Sequence, residues 1–242
     1  MKTTTLGLLA LATALALSGC TTRSISNSGY DGGGRHYYGH TRDPFYRGEL
    51  SEFDLLGVDV GSAPSDEQIG KALDTPGRVT LRKGSPVLLI QSGAMQPDKL
   101  MQDAIEKHFV VVPFSGQPGG TNATGYSRAL RLAAAQAGCE TIVCYWGTLE
   151  SAIKETDGKA VSWVPIVGGA FPDEAQQMRI RLKVALVDVR SGRWAMFSSQ
   201  AFEDRAHSAR MGREWSDQKQ VEKLKQLGYA SAAEDLVKIY AR

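Results

Sequence analysis

Val87-Leu88-Leu89-Ile90-Gln91 and Phe109-Val110-Val111-Val112-Pro113-Phe114 are two apolar runs of strand length. The segment between them, residues 97–107, opens with Pro97-Asp98 and repeats apolar residues at Leu100, Met101, Ala104 and Ile105. Three- and four-residue steps of this kind are the signature of an amphipathic helix, and Pro is at home in a first helical turn. Strand, helix and strand in this order predict a parallel βαβ crossover. A continuous apolar run such as residues 109–114 predicts a strand covered on both faces. Beyond a Gly-rich loop, Tyr126, Leu130, Ala133, Ala134 and Ala137 define a second amphipathic helix ending at Gly138, and residues 141–146 the next strand. The nucleus is therefore βαβαβ.

Working outward, Ser65-Asp66-Glu67-Gln68 is a capping box, with Ile69 and Leu73 on one face of a short helix ended by Pro76-Gly77. Residues 79–81 are strand-like and precede a turn at residues 82–86. Asp157-Gly158 predicts one hairpin, and residues 178–189, turning at Ser191-Gly192 and returning from Trp194 to Phe202, predict another. In that second arm Met178, Ile180, Leu182, Val184 and Leu186 share a face. Arg179, Arg181 and Lys183 point the other way until Ala185 and Val187 make that face apolar too. One half of the strand is thus expected to be covered on both faces, and the other half to meet water or a partner. Two helices close the chain, residues 216–227 stopped by Gly228 and residues 231–240 begun by the box Ser231-Ala232-Ala233-Glu234. The fold class is α/β: a mixed, mainly βαβαβ sheet with antiparallel hairpin arms and C-terminal helices.

The N-terminus reads as an address. Lys2 is followed by an apolar run over residues 6–17 and by Leu17-Ser18-Gly19-Cys20. The run is shorter than the ~20 residues a membrane-spanning helix needs, so a signal peptide covering residues 1–19 is expected. The tetrad resembles the lipobox of bacterial lipoproteins, which implies acylation of Cys20, and several acyl chains make a stable anchor. Thr21 rather than Asp after the cysteine is similar to enterobacterial lipoproteins of the outer membrane. Residues 20–48, rich in Ser, Gly, Arg and Tyr, show no periodicity and predict a tether; residues 49–242 predict one periplasmic domain. Within the tether the aromatic and cationic residues 35–46 read either as contact groups for the domain or a partner or as disordered chain. His36, His40 and Asp43 have metal-ligand chemistry, but Gly39 and Pro44 oppose the helix that would gather them, and no metal is expected.

The strands and helices just described, with Cys144-Tyr145-Trp146-Gly147 and the arm Leu186-Val187-Asp188-Val189-Arg190-Ser191-Gly192-Arg193-Trp194, resemble the periplasmic α/β domain of CsgG-like and LpoB-like outer-membrane lipoproteins and the N-terminal domain of TolB. The resemblance covers residues 87–202 and carries no catalytic motif. It implies work through protein contacts at the cell envelope, and the sequence shows no obvious pair of long amphipathic membrane hairpins.

The 242 residues carry 28 Lys and Arg against 26 Asp and Glu, too balanced to call for a nucleic-acid partner. H-E-x-x-H, G-x-S-x-G and the P-loop are absent from the sequence, so no enzyme and no cofactor is expected, a hydrolase being the weaker alternative. The partners expected are the membrane through the N-terminal lipid and an envelope protein, with peptidoglycan or an anionic ligand as the alternative. Two stretches are candidate sites. Gly116, Gly119, Gly120, Thr121 and Asn122 form a strand-to-helix loop able to present N–H groups to an anion. Arg179, Arg181 and Lys183, three cations at two-residue spacing, either protect a sheet edge or face a partner. His108, ending a helix, and His207, beside Glu203-Asp204-Arg205 in a polar link, read as solvated. Cys139 and Cys144 lie too far apart on an extended segment to form a disulfide and are expected as separate buried thiols.

Overall fold

The computed structural model describes residues 21–28, 46–59, 61, 63–75, 77–118, 123–155, 172–209 and 213–242. Seven strands form one mixed sheet: β1 (Thr21–Ser24), β2 (Pro86–Gln91), β3 (Val110–Phe114), β4 (Thr141–Glu155), β5 (Pro172–Asp188), β6 (Trp194–Ser198) and β7 (Phe202–Ala209). The order is β3-β2-β4-β5-β6, with β1 also on β4 and β7 also on β5. The helices are α1 (Glu52–Leu56), α2 (Asp66–Asp74), α3 (Lys99–Glu106), α4 (Ala123–Gln136) and α5 (Arg213–Tyr240). Strands β2, β3 and β4 run parallel, as crossovers through α3 and α4 require.

The pleat sorts the core into two layers. Leu89, Val143, Tyr145, Ile180, Val184 and Leu186 face Met101 and Ile105 of α3 and Val221, Leu224 and Leu236 of α5. On the opposite face Leu88, Ile90, Ile142, Cys144, Ala185 and Val187 meet Leu55 of α1 and Leu130 and Ala134 of α4. Gly138, at φ 74, supplies the left-handed residue that follows α4. The capping box at Ser65 is formed, Ser65 Oγ accepting Gln68 N–H and Gln68 Oε1 accepting Ser65 N–H, yet none of α2 is buried and Leu73 is 81% exposed.

Several expectations are corrected by tertiary context. Strand β3 is an edge, with Val110 and Phe114 exposed, not a strand covered on both faces. Residues 79–81 are not a strand of the sheet; Leu81 bridges in parallel to Ala241 and exchanges hydrogen bonds with the C-terminal residues. Strand β4 does not stop at Trp146. It pairs with β5 from Thr141↔Asp188 to Glu155↔Glu174, one long hairpin whose connection, including Asp157-Gly158, lies outside the described residues. The return arm is two strands, β6 on residues 183–187 of β5 and β7 on residues 172–180, so Glu203, Asp204, Arg205 and His207 stand in a ladder rather than a loop. Helix α5 is continuous through Gly228. A Cβ there would lie 3.2 Å from Ile180 Cγ2 and 3.3 Å from Leu182 Cδ1, so this glycine serves close packing of helix on sheet, not termination.

Candidate functional site: the strap over the strand ends

In parallel α/β sheets the loops after the strands gather at one end, and ligands bind there. Here that end carries the chain's own N-terminal segment. Strand β1 runs antiparallel to β4, Thr21 opposite Ser151 and Ser24 opposite Thr148. A 3₁₀ turn over Ile25–Asn27 follows, capped by the Ser24 side chain. Ile25 is only 3% exposed and fits beside Gly147, where a Cβ would stand 2.7 Å from Ile25 Cδ1. Ser26 Oγ donates to Ser92 O at 2.6 Å and accepts from Gln91 Nε2 at 3.0 Å.

The chain returns at residues 46–50. Leu50 N–H donates to Ser92 Oγ at 2.8 Å, and the Leu50 carbonyl accepts from Trp146 Nε1 at 2.8 Å. A Cβ at Gly93, whose φ is 80, would meet the Tyr46 ring at 2.8 Å and Ser26 Cβ at 3.3 Å. Both passes therefore end on the Ser92-Gly93 turn. Residues 21–28, read from sequence as the beginning of a free tether, are instead a strand and a buried turn of the sheet. Residues 29–45, with His36, His40 and Asp43, lie outside the described residues, as does Cys20.

Gly116 belongs to the same knot. Its N–H donates to Ala94 O at 2.8 Å and its carbonyl accepts from Gly93 N at 2.9 Å. The backbone of Gly116 is spent on this loop-to-loop contact, so its amide is not presented to an anion. Gly119, Gly120, Thr121 and Asn122, the rest of that candidate, are outside the described residues.

Beneath the strap lies a buried polar cluster that local sequence patterns do not announce. Tyr145 Oη donates to Gln91 Oε1 at 2.5 Å, and the same oxygen accepts Asp98 N–H at 2.7 Å. Tyr229 Oη donates to Asp98 Oδ2 at 2.5 Å, and Lys225 Nζ, from α5, lies 2.8 Å from that atom. Burial first, and the nearby Asp98 carboxylate second, push both phenols well above the usual tyrosine range. They are donors locked in the neutral form, and the cluster bolts α5 to the sheet. Asp98 precedes α3, as its Pro97-Asp98 signature suggests, but its side chain makes no cap bond there.

Glu49 connects the strap to this end of the sheet. It accepts the Ser24 hydroxyl, and burial raises its carboxyl above the ordinary value, offset in part by the hydroxyls of Ser24, Ser92 and Tyr46. A raised folded-state value means that the folded chain holds the proton more tightly than the unfolded chain. This contribution to stability is complete below the ordinary Glu value and is lost as pH rises through the raised one. Glu49→Gln is expected to flatten that part of the melting-temperature profile against pH. An unchanged slope in the variant would refute the assignment to Glu49.

The cationic strand face is neutralised internally. Arg179 lies between Glu150 on β4 and Glu203 on β7 in the ladder and pairs with both, at 3.3 Å to Glu203. Arg181 Nε is 3.3 Å from Glu150, and Lys183 pairs with Glu52 of α1. Cross-strand pairs of this kind stabilise a sheet by a few tenths to about 1 kcal/mol each. Strand β5 is interior, flanked by β4 and by β6 and β7, so the edge-protection reading is overturned. The half-and-half character of β5 is real: residues 184–187 are buried, whereas Arg181 is exposed.

Cys139 and Cys144 are separate, free and buried, and burial raises both thiols. Among the described residues no group of His, Cys, Asp and Glu is arranged to hold a metal ion. No helix among them is long and apolar enough to cross a membrane.

Among solved structures the chain is similar to a dodecameric variant of PelC from Paraburkholderia phytofirmans, at 12% identity over 69% of this chain and 96% of that one, with a TM-score of 0.30. It is similar at 11% identity to a putative neuraminyllactose-binding hemagglutinin homolog from Helicobacter pylori, over 68% of this chain and 89% of that one (TM-score 0.31). Lipoprotein GNA1162 from Neisseria meningitidis matches at 13% identity, covering 52% of this chain and 84% of its own (TM-score 0.22). No curated protein matches the chain. The model of the YafT bacterial lipoproteins matches residues 51–239, and the chain belongs to that family.

Proposed function

We propose that this lipoprotein is anchored in the outer membrane through acylated Cys20 and acts at the periplasmic face as a non-enzymatic protein-interaction or envelope-assembly module. The observation that carries the reading is the register of β1. Thr21, the residue next to the lipid-bearing cysteine, is already paired with Ser151 of β4. The acyl chains would therefore hold a folded sheet directly at the bilayer, where a long flexible linker would let it roam. Thr21 rather than Asp after the cysteine supports the outer membrane. The polar groups gathered at the strand ends bond one another, an arrangement suited to rigidity more than to turnover. Recognition of peptidoglycan or an anionic ligand by Arg179, Arg181 and Lys183 would have to displace Glu150, Glu203 and Glu52, which disfavours that alternative.

Cys20→Ala is expected to release the protein from the membrane fraction, because no helix among the described residues spans a bilayer. Retention of the variant in carbonate-washed outer membranes would overturn the anchor. Crosslinking in intact cells should yield a stoichiometric protein adduct with the acylated chain and lose it with Cys20→Ala. Absence of any adduct across crosslinker lengths would count against an interaction module.

A further inference from the structure

A groove of about 840 Å³ runs between α4 and the ends of β4 and β5, lined on one side by Arg128, Arg131 and Leu132 and on the other by Glu140, Asp188 and Arg190. We propose that this groove binds an oxyanion, a carboxylate or phosphate group carried by a ligand from the aqueous phase. The inference goes beyond the interaction-module reading, and only its aqueous source rests on the anchor at Cys20.

Arg131 is held in place. Its Nε donates to Val189 O and its Nη2 to Arg190 O, both at 2.8 Å. Gly192, at φ 73, lets the guanidinium lie where a Cβ would stand 2.6 Å from Nη1. Both hydrogen bonds go to neutral carbonyls, so the cation is positioned but not neutralised. Arg128 lies three residues earlier on α4, on the same side of the helix, and Arg190 belongs to the turn that Arg131 braces. Among the described residues none of these three arginines has a carboxylate within ion-pair distance, whereas the arginines of β5 are matched by Glu150 and Glu203. Asp188 is turned to local work, its Oδ1 accepting Ser191 N–H at 2.6 Å and Ser191 Oγ at 2.5 Å. Glu140 is exposed and pairs with no cation among the described residues.

Three guanidiniums against the two carboxylates of Glu140 and Asp188, with none in an ion pair among the described residues, leave room for an anion, and the planar fork of Arg fits carboxylate and phosphate oxygens bidentately. Leu132, 61% exposed beside Arg131, offers apolar contact to the remainder of the ligand. The groove's position argues for an aqueous source. It lies at the Thr141 end of β4, and Cys20 adjoins the residue paired with Ser151. Ten residues of strand separate these levels by about 33 Å.

The test is titration of the full acylated chain, in nonionic detergent, with pyrophosphate and with citrate by calorimetry at low and raised salt. Saturable binding of either probe is expected, weakened by salt. Arg128→Gln and Arg190→Gln should each reduce affinity about tenfold, the scale of one charge-assisted hydrogen bond. Melting temperatures should be unchanged, because neither side chain forms an ion pair among the described residues. Arg179→Gln, a cation removed from the ion-paired face, should bind as wild type. Failure of both probes, or equal weakening by all three variants, would overturn the proposal. Arg128-dependent capture of the Cys20→Ala chain by phosphatidylglycerol vesicles, with neither soluble probe bound, would overturn the aqueous source in favour of a lipid headgroup.

Discussion

Asp98→Ala is expected to lower the unfolding free energy by about 3–5 kcal/mol, the cost of removing one partner from a buried ion pair. The Lys225 side chain is 5% exposed and its ammonium lies 2.8 Å from Asp98 Oδ2. Tyr229, fully buried, donates to the same oxygen. Truncating the carboxylate takes a shared partner from a cation and a phenol in the interior, where losing a partner costs more than the net worth of the bond. Asp98→Asn keeps an acceptor for Tyr229 but removes the carboxylate that pairs with the Lys225 ammonium, so it should cost nearly as much. Adding Lys225→Met to Asp98→Asn removes the charge and should recover part of the loss. Urea titration reads the result as a lower midpoint with an unchanged slope. A loss under about 1 kcal/mol for Asp98→Ala would mean that Lys225 reaches water and that the cluster does not secure α5.

The βαβαβ nucleus was legible because its signals are local. Met101, Ala104 and Ile105 recur at helical steps and are the buried residues of α3, and Gly138 marks the end of α4 by the conformation that only glycine adopts readily. Where reading failed, a distant partner had decided. The apolar run at β3 does not distinguish a central strand from an edge, although Pro113, which cannot donate to a ladder, was an edge signal in plain view. Gly228 looks like a stop in one dimension and is a contact surface for Ile180 and Leu182 in three. Residues 21–24 carry no strand signal of their own because β4, more than a hundred residues later, supplies their pairing. The counter-charges of Arg179 and Lys183 come from β4, β7 and α1, and Asp98 and Tyr229 stand 131 residues apart. Spacing along a chain carries no record of such pairs.

Gly116→Ala separates the two meanings this loop could have. Read as an anion cradle, the position would accept a methyl with little effect on stability. Read as packing, it would not: a Cβ there would overlap the Gln91 carbonyl oxygen and stand 3.0 Å from Ile90 Cγ2. The obstruction is backbone at the end of the central strand β2, whose side chain at Gln91 already serves Tyr145, Asp98 and Ser26. No rotamer change relieves it, so the Gly93–Gly116 contact must open. The expected cost is about 3 kcal/mol, at the upper end of overpacking substitutions. Gly70→Ala supplies the opposite case. It lies in exposed helix α2, where an added methyl would have nothing within 4 Å, and should stabilise by roughly 0.5–1 kcal/mol through helix propensity. Hydrogen exchange should then localise the damage of Gly116→Ala to Gly93, Leu50 and the β1 amides, because the strap rests on the turn that Gly116 holds. Near-native stability, with protection of those amides intact, would show that the loops do not touch and would restore Gly116 as a position open to ligand.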